Sequence, residues 1–362
     1  MKATTRRRIL SGLGTLLGLG MVALAVWIFN RTLARYEPEE VLLRLKDIPV
    51  TRLALALGCT AFSYFTQSLY DYLSLASLGR GASLAKATMA GFVSNALVNN
   101  MGFSWLTATS LRFRFYSAWG FSALEIAQVV AMTKLSFFLG LLTLAGATQI
   151  VAPVELPGRV GELLSPRLLG AIMLFAPVGL LIWNGFSKSG YIPLGKLRLV
   201  RPNQSTLVLQ ITVSVMHLVF SGFTLYFLLP TEALAAAHLS GPVAFLSVYM
   251  AIKFVVLFFP IPGGLGVLEG TAVALLTPAI PDYSLLGGMV AYRIVYYLVP
   301  FATALALLLF YEVGIRSGLA AGLRSRLGGM RWLGGSGNGG GARKSVTGKS
   351  AGKTAGHGAQ PA

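Results

Sequence analysis

The stretch Phe258-Phe-Pro-Ile-Pro-Gly-Gly-Leu-Gly-Val-Leu-Glu-Gly270 decides the fold, because it interrupts sequence that is otherwise apolar on both sides. Its two prolines, Pro260 and Pro262, donate no backbone hydrogen bond, and its glycines tolerate backbone angles that other residues avoid. The pattern therefore predicts a helix that ends near Phe259, a short unwound turn, and a new helix that starts near Gly266.

A break of this kind has two interpretations in apolar sequence. Irregular backbone at membrane depth is tolerated only where it lies against protein or lines a wet cavity, and transporters use broken elements to hold ligands at helix ends. The alternative is a loop at the membrane surface that only joins two helices. Under the first interpretation, the break residues that line a binding site are Pro262, Gly263, Gly264 and Gly266.

The composition is that of a polytopic membrane protein. Mean hydropathy is +0.70 and only 12% of residues are charged, against roughly 25% in soluble domains. The net charge of +18 lies mostly in the ends and short loops, where membrane topology explains it, so we expect no nucleic-acid partner.

One cysteine, Cys59, and three separated histidines predict no disulfide framework, no metal site and no cofactor. No hydrolase or nucleotide-binding motif is present, so we expect no enzymatic activity.

Spans and hairpins follow one another in a regular order. The weakly hydrophobic residues 87–116 predict a re-entrant hairpin, and residues 243–276, which the Pro/Gly break interrupts, predict a broken helical hairpin. Six other stretches approach the ~20 apolar residues that cross a bilayer; they lie near residues 9–30, 53–75, 123–148, 168–183, 205–229 and 284–311. Residues 313–362 are basic and rich in Gly and Ser, which predicts a disordered tail. That tail either contacts anionic lipid or only fixes the topology.

Charge distribution gives the orientation. With both termini in the cytoplasm, every strongly basic stretch that lacks acids falls on the inside, as the positive-inside rule requires. A single crossing by residues 87–116 would place the basic 187–203 loop outside. The predicted fold is therefore an all-α membrane bundle in residues 1–312, with an inverted repeat of residues 9–148 and 168–311.

Charged residues inside apolar segments are the candidate site. Inserting one charged side chain at the bilayer centre costs about 2.5–3.5 kcal/mol on insertion scales, so such a residue usually has an ion-pair partner or a function. They are Arg112, Arg114, Lys134, Lys253, Glu269 and Arg293. The helix that starts near Gly266 directs unpaired N–H groups at the break, which favours a phosphate. Glu269 either caps that helix or meets a cationic group.

The physical argument leaves two alternatives open. Lys134, Glu269 and Arg293 either contact a ligand or form an ion-pair network that pins the bundle. Several positive groups in an apolar bundle suit a phosphate carried on a lipid, while a soluble sugar or amino acid remains an alternative ligand. Buried His217 is expected to be a hydrogen-bonded interior residue rather than a proton relay.

Three motifs resemble a known family. They are Arg112-Phe-Arg-Phe-Tyr-Ser-Ala-Trp-Gly-Phe-Ser-Ala-Leu-Glu125, Pro262-Gly-Gly-Leu-Gly-Val-Leu-Glu269 and Tyr292-Arg-Ile-Val-Tyr-Tyr297. Together they are similar to the flippase-like transmembrane domain of lysylphosphatidylglycerol synthases, over most of residues 1–312. Wider relatives tend to carry a Pro and an acid in the first hairpin, where this chain has Asn99-Asn100-Met101, and often an acid–arginine pair where it has Thr133-Lys134.

The resemblance implies a function in lipid transport. We expect a stand-alone translocase, without an aminoacyl-transfer domain, that moves an anionic or aminoacylated phospholipid between leaflets of the bacterial inner membrane. Arg112, Arg114 and Arg293 would meet the phosphate, Glu269 an amino group, and Asn99, Asn100, Lys134 and Tyr292 would complete the site. The alternatives are a non-transporting membrane subunit of a lipid or glycan synthase and a solute/proton symporter.

Overall fold

The computed structural model describes residues 48–81, 83–101, 104–154, 165–194, 197–259, 264, 266–276 and 282–317. The expected first span at 9–30, the tail beyond residue 317, and Pro262 and Gly263 lie outside the described residues. Within them the chain is mainly helical, and the helices up to Glu312 form one compact unit.

The described helices follow one another along the chain. They are α1 (Val50–Ser77), α2 (Leu84–Met101), α3 (Ser104–Ala118), α4 (Ala123–Val151), α5 (Pro166–Phe186), α6 (Gln204–Leu228), α7 (Thr231–Ala236), α8 (Pro242–Phe258), α9 (Val267–Leu276), α10 (Asp282–Tyr292) and α11 (Val299–Ser317). A π-helical turn, Arg293–Leu298, joins α10 to α11.

Four helical stretches of the described residues are long and apolar enough to cross a membrane. They are Ala123–Val151, Pro166–Phe186, Gln204–Leu228 and Gly287–Glu312. Each coincides with one of the six expected spans, so the membrane-bundle interpretation is confirmed. The full count of six spans and the inverted repeat stay predictions.

Helix α1 is apolar on its outside and polar on its inside. Its 28 residues make it about 42 Å long at 1.5 Å per residue, enough to cross a bilayer. The exposed side chains include Leu55, Phe62 and Phe65, and the buried ones include Thr60, Ser63, Gln67, Ser68, Asp71 and Ser74. This pattern suits a helix whose outer face meets lipid while polar groups face a protein interior.

Small residues let the central helices approach closely. A Cβ added at Gly140 of α4 would lie 2.1 Å from Ser214 Oγ of α6, so the two helices meet there without room for a side chain. Gly146 of α4 and Gly170 of α5 meet in the same way, each 2.7 Å from the other's carbonyl oxygen when given a Cβ. Small residues at helix contacts are typical of membrane bundles.

The Pro/Gly break is where the sequence predicts it. Helix α8 ends at Phe258 and α9 begins at Val267. Gly264 and Gly266 have φ angles of +61° and +82°, a left-handed conformation that favours glycine. A Cβ at Gly264 would also lie 2.9 Å from a methyl group of Val256. In the first hairpin, α2 and α3 are likewise two short helices that pack on each other.

The start of α4 is fixed by a local capping motif. Ser122 is the N-cap and Glu125 completes a capping box, in which each side chain accepts the other's backbone N–H. The Glu125 carboxylate is also bound by Arg80, 2.6 Å away, and these hydrogen bonds raise the pKa of the Arg80 guanidinium. The Arg80–Glu125 ion pair therefore connects the start of α4 to the loop after α1.

The basic 187–203 loop contains a hairpin that the sequence did not predict. Strands β1 (Tyr191–Leu194) and β2 (Leu197–Val200) pair antiparallel, with Tyr191 opposite Val200. Arg201 donates two 2.8 Å hydrogen bonds to the carbonyls of Asn184 and Ser187, which closes the C-terminal end of α5. Arg201, one of the basic residues that indicated a cytoplasmic loop, therefore also binds that loop to the end of α5.

Candidate functional site

The Arg112 side chain lies in a buried ion pair. Its guanidinium donates two 2.7 Å hydrogen bonds to the two carboxylate oxygens of Asp71, and both side chains are at most 2% exposed. Asn95 accepts a further bond from Arg112 at 3.2 Å, and the Tyr116 hydroxyl donates to Asp71 at 2.6 Å. The two charges neutralise each other inside the bundle, so this pair joins α1 to α3 rather than presenting a free charge.

Arg114 is paired as well. Its guanidinium lies 2.8 Å from a carboxylate oxygen of Glu312 on α11. Next to this pair, the Phe115 ring packs on Tyr311 with 4.9 Å between the ring centres. The contact links the first hairpin to the last helix.

A third ion pair closes the Pro/Gly break. Arg293, which is only 3% exposed, donates to both carboxylate oxygens of Glu269, one of them at 2.8 Å. Arg293 also donates to the Gly264 carbonyl at 3.3 Å, and the Gly266 N–H donates to Glu269 at 2.9 Å. Glu269 thus caps the first turn of α9 and at the same time holds the break against the π-helical turn.

A buried aromatic network lies beside this pair. We call it the tyrosine cluster and define it as Tyr64, Tyr70, His217, Tyr249, Tyr292, Tyr296 and Tyr297, all of them buried. Its members come from α1, α6, α8, the end of α10 and the π-helical turn. Both halves of the described chain therefore contribute polar side chains to it.

Hydrogen bonds connect the members of the cluster. The Tyr296 hydroxyl lies 3.2 Å from His217 Nε2, and the Tyr70 hydroxyl lies 2.9 Å from His217 Nδ1. The hydroxyls of Tyr249 and Tyr292 are 2.8 Å apart. The rings of Tyr292 and Tyr296 stack at 5.1 Å with an 8° angle between their planes. His217 is a hydrogen-bonded interior residue in this structure, as the sequence analysis expected.

The first hairpin reaches the cluster through its two asparagines. Asn99 donates to the Tyr64 hydroxyl at 3.1 Å, and Tyr64 in turn donates to the Tyr296 carbonyl at 3.0 Å. Asn100 donates to the Tyr297 carbonyl at 3.3 Å. Contacts from both interrupted hairpins therefore meet at the π-helical turn. Such turns within α-helices are frequent at functional sites.

Comparison with known proteins identifies the family. The family described as "Lysylphosphatidylglycerol synthase TM region" matches residues 15–304. A similar protein is the "Uncharacterized protein slr0712" of Synechocystis sp., 33% identical over 291 residues, which are 80% of this chain and 88% of that relative. Another is the "Inner membrane protein YbhN" of Escherichia coli, 25% identical over 276 residues, or 76% of this chain and 84% of YbhN. The chain belongs to the lysylphosphatidylglycerol synthase TM region family.

Membership in the lysylphosphatidylglycerol synthase TM region family makes this a membrane domain tied to lipid handling. The suspected resemblance is therefore confirmed. Within this family member, the Pro-Gly-Gly-Leu-Gly-Val-Leu-Glu motif supplies the break and its cap. The Tyr-Arg-Ile-Val-Tyr-Tyr motif supplies Arg293 and three members of the tyrosine cluster.

The structure divides the predicted site residues into two sets. One set surrounds the tyrosine cluster and comprises Asn99, Asn100, Gly264, Gly266, Glu269, Tyr292 and Arg293. The other set lies outside that network and comprises Arg112, Arg114 and Lys134. Arg112 and Arg114 are held by carboxylates of their own, whereas Lys134 has no ion-pair partner among the described residues.

Sequence reasoning missed most of the tyrosine cluster. It selected Tyr292 but not Tyr64, Tyr70, Tyr249, Tyr296 or Tyr297. A signal was present, since Tyr292 and Tyr296 are four residues apart and so share a helix face. It also did not identify Asp71 as the partner of Arg112, which lies 41 residues further along the chain.

A groove opens beside the cluster on the bundle surface. Its volume is about 580 Å³, and α1, α2 and α11 form its walls. Most of its lining is apolar, including Leu57, Phe65, Met89, Phe92, Pro300 and Leu307. Tyr64 belongs to both the groove and the tyrosine cluster, so an apolar surface and a polar interior adjoin there. The described residues contain no group of three or more metal-ligating side chains.

Proposed function

We propose that this protein moves a phospholipid, anionic or aminoacylated, between the leaflets of the bacterial inner membrane. The observation that carries the proposal is the convergence of both interrupted hairpins on the tyrosine cluster, inside an apolar bundle. Polar side chains in that setting are costly and usually mark a pathway or a binding site. The family's tie to lipid handling favours a lipid as the ligand over a soluble sugar or amino acid.

The groove next to Tyr64 supports a lipid in particular. A lipid needs an apolar surface for its acyl chains next to a polar site for its headgroup, and Tyr64 belongs to both. A soluble solute needs only the polar site. The headgroup would enter the cluster from this side while the chains stay in the groove.

In this proposal, the Glu269–Arg293 ion pair is the contact that breaks and re-forms during transport. It holds the break and the π-helical turn together, and both are irregular backbone whose hydrogen bonds can be exchanged. In our proposal, a headgroup that binds Arg293 or Glu269 releases the break and allows the two halves to rock, as in other carriers with broken helices. Residues 1–312 would form the transport domain, with both termini in the cytoplasm, and no catalytic step is needed.

The test is a headgroup-accessibility assay on the full chain in liposomes with fluorescent phosphatidylglycerol and a membrane-impermeant quencher. Wild-type protein should expose label from both leaflets. The Glu269→Gln, Arg293→Gln double variant should slow exchange by at least about tenfold, because a charge-assisted hydrogen bond is worth about 1.5–3 kcal/mol.

The matched control removes a surface ion pair. Arg80→Gln, Glu125→Gln also neutralises one Arg–Glu pair, and glutamine still serves at the third position of a capping box. It should exchange lipid at the wild-type rate. Equal exchange by protein-free and wild-type liposomes would overturn the proposed function. Equal exchange by wild type and the Glu269/Arg293 variant would overturn the role of this pair.

A further inference from the structure

Within the described residues, almost every acid is already neutralised. Of the five carboxylates whose side chains the structure describes, four pair with an arginine: Asp71 with Arg112, Glu125 with Arg80, Glu269 with Arg293, and Glu312 with Arg114. The fifth, Glu232, is exposed on the short helix α7. The arginines that suggested a phosphate site from sequence are therefore the ones whose charge is balanced.

Lys253 is different. It lies in α8, partly buried, and no described carboxylate is within ion-pair distance of it. Its ammonium lies over two rings of the tyrosine cluster, 5.3 Å from the centre of Tyr249 and 5.5 Å from the centre of Tyr296. Cation–π contacts hold an ammonium in place without neutralising it.

The neighbours of Lys253 are polar but neutral. Tyr249 is hydrogen-bonded to Tyr292 and Ser221, and Tyr296 lies within hydrogen-bond distance of His217 and Ser63. These bonds satisfy the cluster internally, and no described carboxylate balances the charge of Lys253. A partly buried cation without a counter-charge among the described residues is costly unless an anion from outside the chain joins it.

We propose that Lys253 binds the phosphate of the ligand in the arrangement seen here, in which Arg112, Arg114 and Arg293 are each paired with a carboxylate. The ligand class is a phosphate mono- or diester, and lysine binds such groups as a point charge. This inference rests on the proposed function for its biological setting, but phosphate binding is measured separately from transport. The phosphate replaces the missing carboxylate, while the tyrosine rings keep the ammonium aimed at the cluster.

The experiment measures binding to purified full-length protein in detergent. Three probes separate the sources of phosphate: phosphatidylglycerol, the diacylglycerol that lacks its phosphate, and soluble glycerol phosphate. Lys253→Gln should weaken phosphatidylglycerol binding by at least about tenfold, the worth of one charge-assisted hydrogen bond, and leave diacylglycerol binding unchanged. Lys253→Arg should retain most of the binding because it keeps the charge.

Lys86→Gln is the matched control. Lys86 also lies over an aromatic ring, 5.8 Å from the centre of Trp119, but it is exposed and outside the cluster. It should bind phosphatidylglycerol as wild type does. Thermal unfolding should show that Lys253→Gln is at least as stable as wild type, since the substitution removes an unbalanced charge and no ion pair.

The outcomes separate this inference from the proposed function. Unchanged phosphatidylglycerol binding by Lys253→Gln overturns the inference, even if wild-type protein transports lipid. Lys253-dependent binding without transport by wild type supports the inference and overturns the proposed function. Binding of glycerol phosphate with the same Lys253 dependence assigns the site to a phosphate without acyl chains, whereas binding of phosphatidylglycerol alone assigns it to the lipid.

Discussion

The ion pair between Asp71 and Arg112 gives the sharpest prediction about stability. The two side chains are at most 2% exposed and share two 2.7 Å hydrogen bonds. We would replace each by a neutral residue of similar shape, Asp71→Asn and Arg112→Gln, and then combine the two. Each single substitution leaves a buried charge without its partner, whereas the double variant leaves none.

The structure sets the expected magnitude. Removing one partner of a buried ion pair costs about 3–5 kcal/mol, and Asp71→Asn also weakens the bond from Tyr116. The double variant should lose much less than the sum of the single losses. We therefore expect a coupling energy of at least about 2 kcal/mol between the two positions.

The assay is reversible unfolding of the four proteins in mixed micelles of detergent and denaturant. The matched surface pair is Arg80 with Glu125, at 51% and 22% exposure, and its cycle should show a much smaller coupling. Additive losses at Asp71 and Arg112 would refute the interpretation of Arg112 as a structural residue. Arg112 would then again be a candidate ligand of the lipid phosphate.

Three further predictions concern packing, the tyrosine cluster and the cap. Gly140→Ala should destabilise the protein by about 1–3 kcal/mol, because the added methyl group overpacks against Ser214. Gly58→Ala is the control and should leave stability unchanged, since nothing lies within 4 Å of its added Cβ. Equal melting points for the two variants in thermal unfolding would contradict the close approach of α4 and α6. Tyr296→Phe should cost about 1–3 kcal/mol because the side chain of buried His217 loses a partner; unchanged unfolding would argue against that hydrogen bond. Ser122→Ala should cost about 1 kcal/mol by loss of the N-cap, and Ser122→Asp should restore it in the same unfolding assay.

Local chemistry explains what could be predicted from the sequence. Proline and glycine fix the break between Phe258 and Val267 whatever surrounds it, and the Ser122–Glu125 capping box needs only four consecutive residues. Apolar length located the four stretches that are long and apolar enough to cross a membrane. In each case the residues that determine the element lie within it.

Long-range pairing explains what was missed. Nothing near Arg112 indicates that Asp71 is its partner, because periodicity describes one helix face and not which helix lies opposite. The tyrosine cluster forms from α1, α6, α8, the end of α10 and the π-helical turn, so no single segment displays it. The β-hairpin at Tyr191–Val200 was missed because two four-residue strands are too short for a periodic signal.

The most direct test of the account is to locate a bound headgroup. A phosphatidylglycerol analogue with a photoreactive group on its headgroup would be cross-linked to the protein in liposomes, and the labelled peptides mapped by mass spectrometry. The account predicts labels in Pro242–Phe258 and Arg293–Leu298, around Lys253 and Tyr296, that unlabelled phosphatidylglycerol competes away. Labels confined to the outer surface, as at Phe175 and Phe310, would contradict it.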